Sequence, residues 1–468
     1  MTDTPEKPAG SDRDALIAAV DMLGRFAAEL TPVAIPPAVR TRIELMLVDL
    51  IGVTVAGTST PEFAALLSAW SAPAGNAPVI GTVAATTPET AALLGATAAC
   101  MLELDEGNKH AQGHPAVHVV FAALAAAQLH EGPVSGEDLF VAIAAGYEVA
   151  ARLGQALRRD PQWHTHGHWG AAGAACAAAL IGGAGPAEIS AAIDSAAGLM
   201  TITPWSIVLA GDFTRNLWAG SANVAGLNAA RLARAGLVGN TGALHSALGT
   251  IVGSIDADVV LHRLGDDWLV TEGYGKLHSS CSYTNVGIDI VQQLREVHPF
   301  TPEAVKAIRV GTHSLARPLF PAEPQNRLAA MFSFPFVVAT AIISDHVDPA
   351  AMDPAGPHFT QASRLAELVR MEVRPEFDAL LPFERWTSVE IDLADGRTLS
   401  GSQPNPIGDA DHKPLGNADI DNKLNYLIGE TRAVIVRSAV QEIARATDVA
   451  AALNSAAVAV AEGVMSGG

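Results

Sequence analysis

The stretch Trp163-His164-Thr165-His166-Gly167-His168-Trp169-Gly170-Ala171-Ala172-Gly173 sets three histidines on alternate positions between two tryptophans. Three readings suit that pattern. On a strand, alternate histidines point the same way and suit a zinc ion. On a surface they make a polar loop. In a pocket, an imidazole moves protons near neutral pH. The segment leads into an alanine-rich helix rather than along a sheet, which weighs against zinc and towards acid–base work. Gly167, Gly170 and Gly173 would let the backbone approach a bound ligand closely.

A second dense stretch is Glu103-Leu104-Asp105-Glu106-Gly107-Asn108-Lys109-His110-Ala111-Gln112-Gly113-His114-Pro115. Three acids close a helix, a loop follows, and His114-Pro115 opens the next helix. Proline in a first turn leaves its predecessor at the helix N-terminus, where unpaired N–H groups favour an anion. The alternative is a solvated acidic loop. Further on, Arg215 precedes a helix of small residues and suits a bidentate grip on a carboxylate. In Gly275-Lys276-Leu277-His278-Ser279-Ser280-Cys281, the lysine has glycine, serine and cysteine for neighbours rather than charges. That points to a cleft rather than an open surface.

The elements that must position these residues are mostly helical. From residue 13 to about 270 the sequence reads as helix after helix, with no strand alternation. Ile43, Leu47, Leu50 and Thr54 keep helical spacing. Thr87-Pro88-Glu89 and Ser135-Gly136-Glu137-Asp138 are helix starts with capping hydroxyls. The second of these helices is apolar nearly all round and so central. Helices are predicted over 170–180, 187–199, 219–234 and 242–249. The texture changes after 270. Strands are predicted at 304–312 and 387–393, with a hairpin at Ala394-Asp395-Gly396-Arg397 and a return strand over 398–402. Helices over 284–297 and 334–344 lie between. A final helical stretch, 419–453, has no core of its own and should pack back on the first part.

Composition narrows the function. Over 468 residues, 49% are hydrophobic and 17% charged, which fits a large buried core. A net charge of −20 speaks against a nucleic-acid partner but not against a local basic pocket. Three scattered cysteines with no CxxC pair suit a reducing cytoplasm. No run of about twenty strongly apolar residues predicts a membrane span. Residues 1–14 are polar, lack the apolar stretch of a signal peptide, and read as a disordered tail.

Taken in order, these motifs resemble one known family. They are an acidic loop ending in His-Pro, His164-x-x-Gly167-x-x-Gly170-x-x-Gly173, a basic residue ahead of Ala219-Gly220-Ser221-Ala222-Asn223, and Lys276-x-x-x-x-Cys281. Ala145-Gly146-Tyr147-Glu148-Val149 and the Asp395-Gly396-Arg397 hairpin add to them. The sequence is similar to the MmgE/PrpD family, which includes 2-methylcitrate dehydratase, cis-aconitate decarboxylase and iminodisuccinate epimerase.

The resemblance implies a mainly α protein. A large helical domain would form from both chain ends (residues 15–271 and 406–460), with an inserted α+β lid over 272–405. It also implies a homodimer, a site in the cleft between the units, no metal or other cofactor, and a small di- or tricarboxylate as substrate. Carried over by motif, His164 is the proton carrier, with His114 assisting and Asp105 orienting it. Arg215, Lys276, Glu103, Glu106, Cys281, His278 and His166 are expected to touch substrate. The expected activity is that of a 2-methylcitrate dehydratase-like hydro-lyase, with aconitate decarboxylase-like or iminodisuccinate epimerase-like chemistry as alternatives. A metal-dependent hydrolase and a non-catalytic carboxylate binder are the rivals from other classes. Five departures from the family pattern bear on that choice. Arg215 stands for the usual lysine, Asn285 for a histidine, Phe336 for a tyrosine, Glu103 for an aspartate and Gly107 for a threonine.

Overall fold

A computed structural model describes residues 9–321 and 323–466. The tail expected over residues 1–14 is met only from Ala9 onward, where the chain already lies in helix Ala9–Glu29. Residues 1–8 lie outside the described residues. The chain is mainly helical, as expected, and the helix starts sit where the capping residues put them. Thr87 accepts the N–H of Thr90 at the head of helix Pro88–Ala99. Ser135 accepts the N–H of Asp138 and donates to its carboxylate, opening helix Gly136–Ala156. His114 stands at the N-cap of helix Pro115–Leu129.

Two apolar cores form. The larger gathers residues from Leu16 to Val270 and takes up the chain again from Leu415 to Val460. The C-terminal helices therefore pack back on the first part, and Lys423 locks them there. Its ammonium, itself buried, pairs with Asp49 at 2.6 Å and donates to the Leu104 carbonyl at 2.9 Å. The smaller core lies under a four-stranded sheet of order 398–403, 387–393, 305–312, 369–373. Strand Thr387–Leu393 buries Thr387, Val389, Ile391 and Leu393 on one face, as its alternation requires.

The sequence reading missed strand Val369–Val373, which pairs parallel to Val305–Thr312. Its alternating charges, in Val-Arg-Met-Glu-Val, place it at the sheet edge, where only one flank needs pairing. Two further differences affect the site. The helix predicted from 219 begins at Thr214, so Arg215 lies inside its first turn. The region before 270 also contains short strands: Leu157–Arg159 pairs with Gly253–Ile255, and Gly107–Asn108 pairs with Gly273–Tyr274 just beyond it.

Glycine governs the crossing of the two central helices. A Cβ on Gly146 would lie 2.7 Å from the Gly173 carbonyl oxygen, and one on Gly173 would lie 2.5 Å from that of Gly146. The backbones therefore meet directly. Gly→Ala inside a helix normally gains up to about 1 kcal/mol, but overpacking a tight contact costs about 1–3 kcal/mol. The clash wins here because the opposing atoms are backbone. Gly173→Ala should lower the melting temperature, as read by calorimetry; a rise would mean that the crossing has slack.

Candidate active site

The acidic loop is built into the protein rather than left in solvent. Helix Pro88–Ala99 ends, and Glu103 takes a left-handed backbone with φ 53°. That turn, rare for a residue with a side chain, points the acids inward. Asn108 then organises the loop, accepting the N–H groups of His110 and Ala111 and donating to the Leu269 carbonyl. The ribbon between Gly107–Asn108 and Gly273–Tyr274 ties the loop to the strand that leaves the first core. A Cβ on Gly107 would fall 2.4 Å from the Tyr274 ring, which explains glycine at this position.

A cavity opens between the two cores, lined by polar and charged side chains from both. The first core supplies Glu103, His114, His164 and Arg215; Cys281, Phe332 and Arg385 face them from the second. Four cations line it, Lys109, Arg159, Arg215 and Arg385, against one carboxylate, Glu103. A chain of net charge −20 thus gathers four cations round one cavity, of which Arg215 pairs with Glu103, Lys109 with Asp409 and Asp411, and Arg385 with Asp409.

The proton-moving groups are fixed by their partners. His114 Nδ1 lies 3.0 Å from an Asp105 carboxylate oxygen and 2.8 Å from the Glu106 carbonyl oxygen. Both are acceptors, so Nδ1 carries a hydrogen, and whenever the ring is neutral it is Nε2 that holds the lone pair. Burial works to raise the Asp105 carboxyl, but the charge and hydrogen bond of His114 outweigh it and hold it well below the usual range. His164 is the opposite tautomer. Its Nδ1 accepts the backbone N–H of His166 at 3.2 Å, so Nε2 carries the hydrogen. Burial, reinforced by the Arg215 charge, keeps His164 neutral. Trp205 packs edge-on against its ring at 4.7 Å.

Of the expected site residues, Glu103, His114, His164, Arg215 and Cys281 line the cavity. Asp105, Lys276 and His166 stand behind it. Lys276 lies 3.4 Å from Glu103, whose other oxygen pairs with Arg215. The two cations thus hold a carboxylate of the protein itself. His166 sits among the rings of His114, His118 and His164, with centroids 4.8–5.2 Å away. Glu106 and His278, expected to bind substrate, turn away. Glu106 accepts Tyr147 Oη–H at 2.5 Å and the Ala116 N–H at the next helix start, and burial pushes it up to about 7. His278 is drawn to Asp289 at 2.9 Å, in a separate hollow with Lys423 and Tyr426.

The alternate histidines do not converge. His168 bonds Thr203, and among the described residues no three His, Cys, Asp or Glu side chains gather as metal ligands. The glycine triplet also serves packing rather than a ligand. Gly167 turns with φ 83°, Gly170 leaves room for the His118 ring, and Gly173 meets Gly146. Two of the departures lie off the cavity: Asn285 bonds Ser280, and Phe336 packs on Phe359 in the second core. They give the non-catalytic reading no support. Sequence reasoning missed Arg159, Arg385, Lys109, Tyr274 and Tyr283. Lys109 lies inside the acidic loop, and Arg159, Tyr274 and Tyr283 lie close to the other motifs in sequence, but none carries a local signal of burial; Arg385 is far from all four motifs.

The sequence matches the MmgE/PrpD N-terminal domain over residues 21–258 and the MmgE/PrpD C-terminal domain over 278–448. The chain therefore belongs to the MmgE/PrpD family. It is also similar to the cis-aconitate decarboxylase-like protein oryM of Aspergillus oryzae, with 27% identity over 370 residues, 71% of this chain and 76% of that protein. Among the described residues no single helix is long and apolar enough to cross a membrane.

The buried histidines set the pH response of stability. Burial holds His118 down to about 4, and His168 and His313 to about 3, while His164 and His166 are also pushed well down. Unfolding releases them to about 6.5. Glu106 and Glu148, pushed up to about 7, and Asp49, also raised, act in the opposite sense. At pH 5.5 the unfolded chain gains protons on five imidazoles and loses them from fewer carboxyls, so it binds about two more protons than the folded form. Stability then rises with pH. The Asp105 contribution fades only below about 3.9, outside this window. The melting temperature should fall between pH 7 and 5.5; a rise would show that the carboxyls dominate.

Proposed function

We propose that the protein is a cofactor-independent lyase or isomerase that moves a proton at a carbon next to a carboxylate of a small di- or tricarboxylic acid. The observation that carries this reading is the buried Asp105–His114 pair beside a cavity lined by four cations. A base must hold its lone pair towards substrate, and cations must stabilise the charge that develops on the neighbouring carboxylate. We assign proton removal to His114 Nε2, with Asp105 fixing the tautomer. His164, whose Nε2 carries a hydrogen, then serves as the donor that holds a substrate oxygen. This exchanges the roles that the sequence suggested for the two histidines.

Loss of a β-hydroxyl from the resulting carbanion would make a hydro-lyase of the 2-methylcitrate dehydratase kind, and this is our leading reading. Decarboxylation is the second, favoured by the cis-aconitate decarboxylase-like relative. Re-protonation on the other face would make an epimerase. We further propose that the smaller unit acts as a lid, since Leu315, Phe332, Leu381 and Pro382 form one wall of the cavity. The homodimer implied by the resemblance is part of the proposal, as is a reducing cytoplasm, which suits the three free buried thiols.

The test is turnover of methylcitrate, cis-aconitate and iminodisuccinate by the purified protein before and after EDTA. Activity on at least one, retained after chelation, is expected; complete loss on chelation would overturn the cofactor-independent mechanism. His114→Gln should lower kcat by about 10²–10⁴-fold, the usual worth of general acid–base catalysis. His164→Gln should act mainly on KM. The reverse ranking would return the proton-carrier role to His164.

A further inference from the structure

Arg215 and Lys276 both pair with Glu103, a carboxylate of the protein itself, which offsets one of their two charges. Lys109 pairs with Asp409 and Asp411, and Arg385 pairs with Asp409 at 2.6 Å. Arg159 differs. It lines the cavity, yet among the described residues no carboxylate lies within ion-pair distance of it; it donates only to the Trp163 carbonyl. Burial disfavours its charge, and no carboxylate is among the groups that act on it. A half-buried guanidinium kept without a counter-ion is costly unless something else supplies one.

Its neighbours complete a receptor. Strand Leu157–Arg159 pairs with Gly253–Ile255 and fixes the Arg159 backbone. Arg385 is 3% exposed, stands over the Tyr274 ring at 4.8 Å, and has a buried Nε–H with no partner. Tyr283 lines the same cavity, and its phenol feels the charge of both guanidinium groups. Burial pushes that phenol up to about 12, so it keeps its hydrogen as a donor. An unsatisfied N–H, an unmatched cation and a phenol O–H, all lining one cavity, are the donor set of a carboxylate.

We infer that Arg159, Arg385 and Tyr283 form a second carboxylate subsite, which holds the carboxylate remote from the carbon that His114 deprotonates. This rests on the carboxylate reading of the cavity and sharpens it. The substrate must carry at least two carboxylates, one near His114 and His164 and one reaching Arg159. A monocarboxylate would leave Arg159 unmatched and bind weakly. Specificity for a polycarboxylate then lies with residues that none of the four motifs contains.

The test is calorimetric titration of wild type, Arg159→Gln and Arg159→Lys with tricarballylate, glutarate and butyrate. Wild type should bind tricarballylate and glutarate at least tenfold more tightly than butyrate. Arg159→Gln should erase that preference and leave butyrate affinity unchanged, which also shows that the cavity is intact; Arg159→Lys should restore part of it. Equal losses for all three probes in Arg159→Gln, or none, would overturn the subsite while leaving the carboxylate reading in place. If wild type binds none of the three, the carboxylate reading fails and the subsite with it.

Discussion

Three carboxylates, those of Glu103, Asp105 and Glu106, are carried by one short loop into an alanine-rich interior, and each must be matched there. An unmatched buried ion costs several kcal/mol, so the partners determine the local architecture. Glu103 draws in Arg215 from one helix and Lys276 from the segment joining the two cores. Asp105 takes His114, and Glu106 takes Tyr147 and a helix N-terminus. These pairings stitch together segments up to 173 residues apart. They also leave Nε2 of a neutral His114 holding a lone pair beside a cavity lined by four cations. The need to satisfy buried charge and the placing of a base are therefore one solution.

The backbone makes that solution geometrically available. Gly146 and Gly173 let two central helices touch, and Gly170 admits the His118 ring. His118 in turn accepts the Gly167 N–H and packs on His166, whose own N–H fixes the His164 tautomer. A file of neutral imidazoles thus runs behind the cavity. Each has its protonation set by a backbone group or by exclusion of water rather than by a carboxylate. Only His114 has an acid partner, and that asymmetry separates it from the other histidines of the cluster.

Much of this was legible in the sequence because it is encoded locally. Thr87, Ser135 and His114-Pro115 announce helix starts through capping chemistry, and the Asp395-Gly396 turn announces its hairpin. The acid loop and the basic residues were recognisable as types at spacings. What was not legible depends on which side chain meets which. Lys276 and Arg215 looked like substrate clamps because Glu103, far away in sequence, could not be seen between them. Glu106 and His278 looked exposed to substrate because Tyr147 and Asp289 could not be seen opposite them. The glycine triplet showed that close approach was needed but not that the approaching atoms belong to the protein. Arg159 and Arg385 carry no motif at all, and only folding brings them to the wall of the same cavity.

The central claim is that a proton is removed from a carbon beside a carboxylate. Hydrogen exchange at that carbon tests it most directly, because exchange reports deprotonation whatever group leaves afterwards. The protein would be incubated in D2O with methylcitrate, cis-aconitate and iminodisuccinate, and recovered substrate and product read by NMR and mass spectrometry. The account predicts that a carbon adjacent to a carboxylate loses its hydrogen or takes up deuterium in at least one of the three, and that this is abolished in His114→Gln. Turnover in which every such carbon keeps its original hydrogens and takes up no deuterium would contradict it.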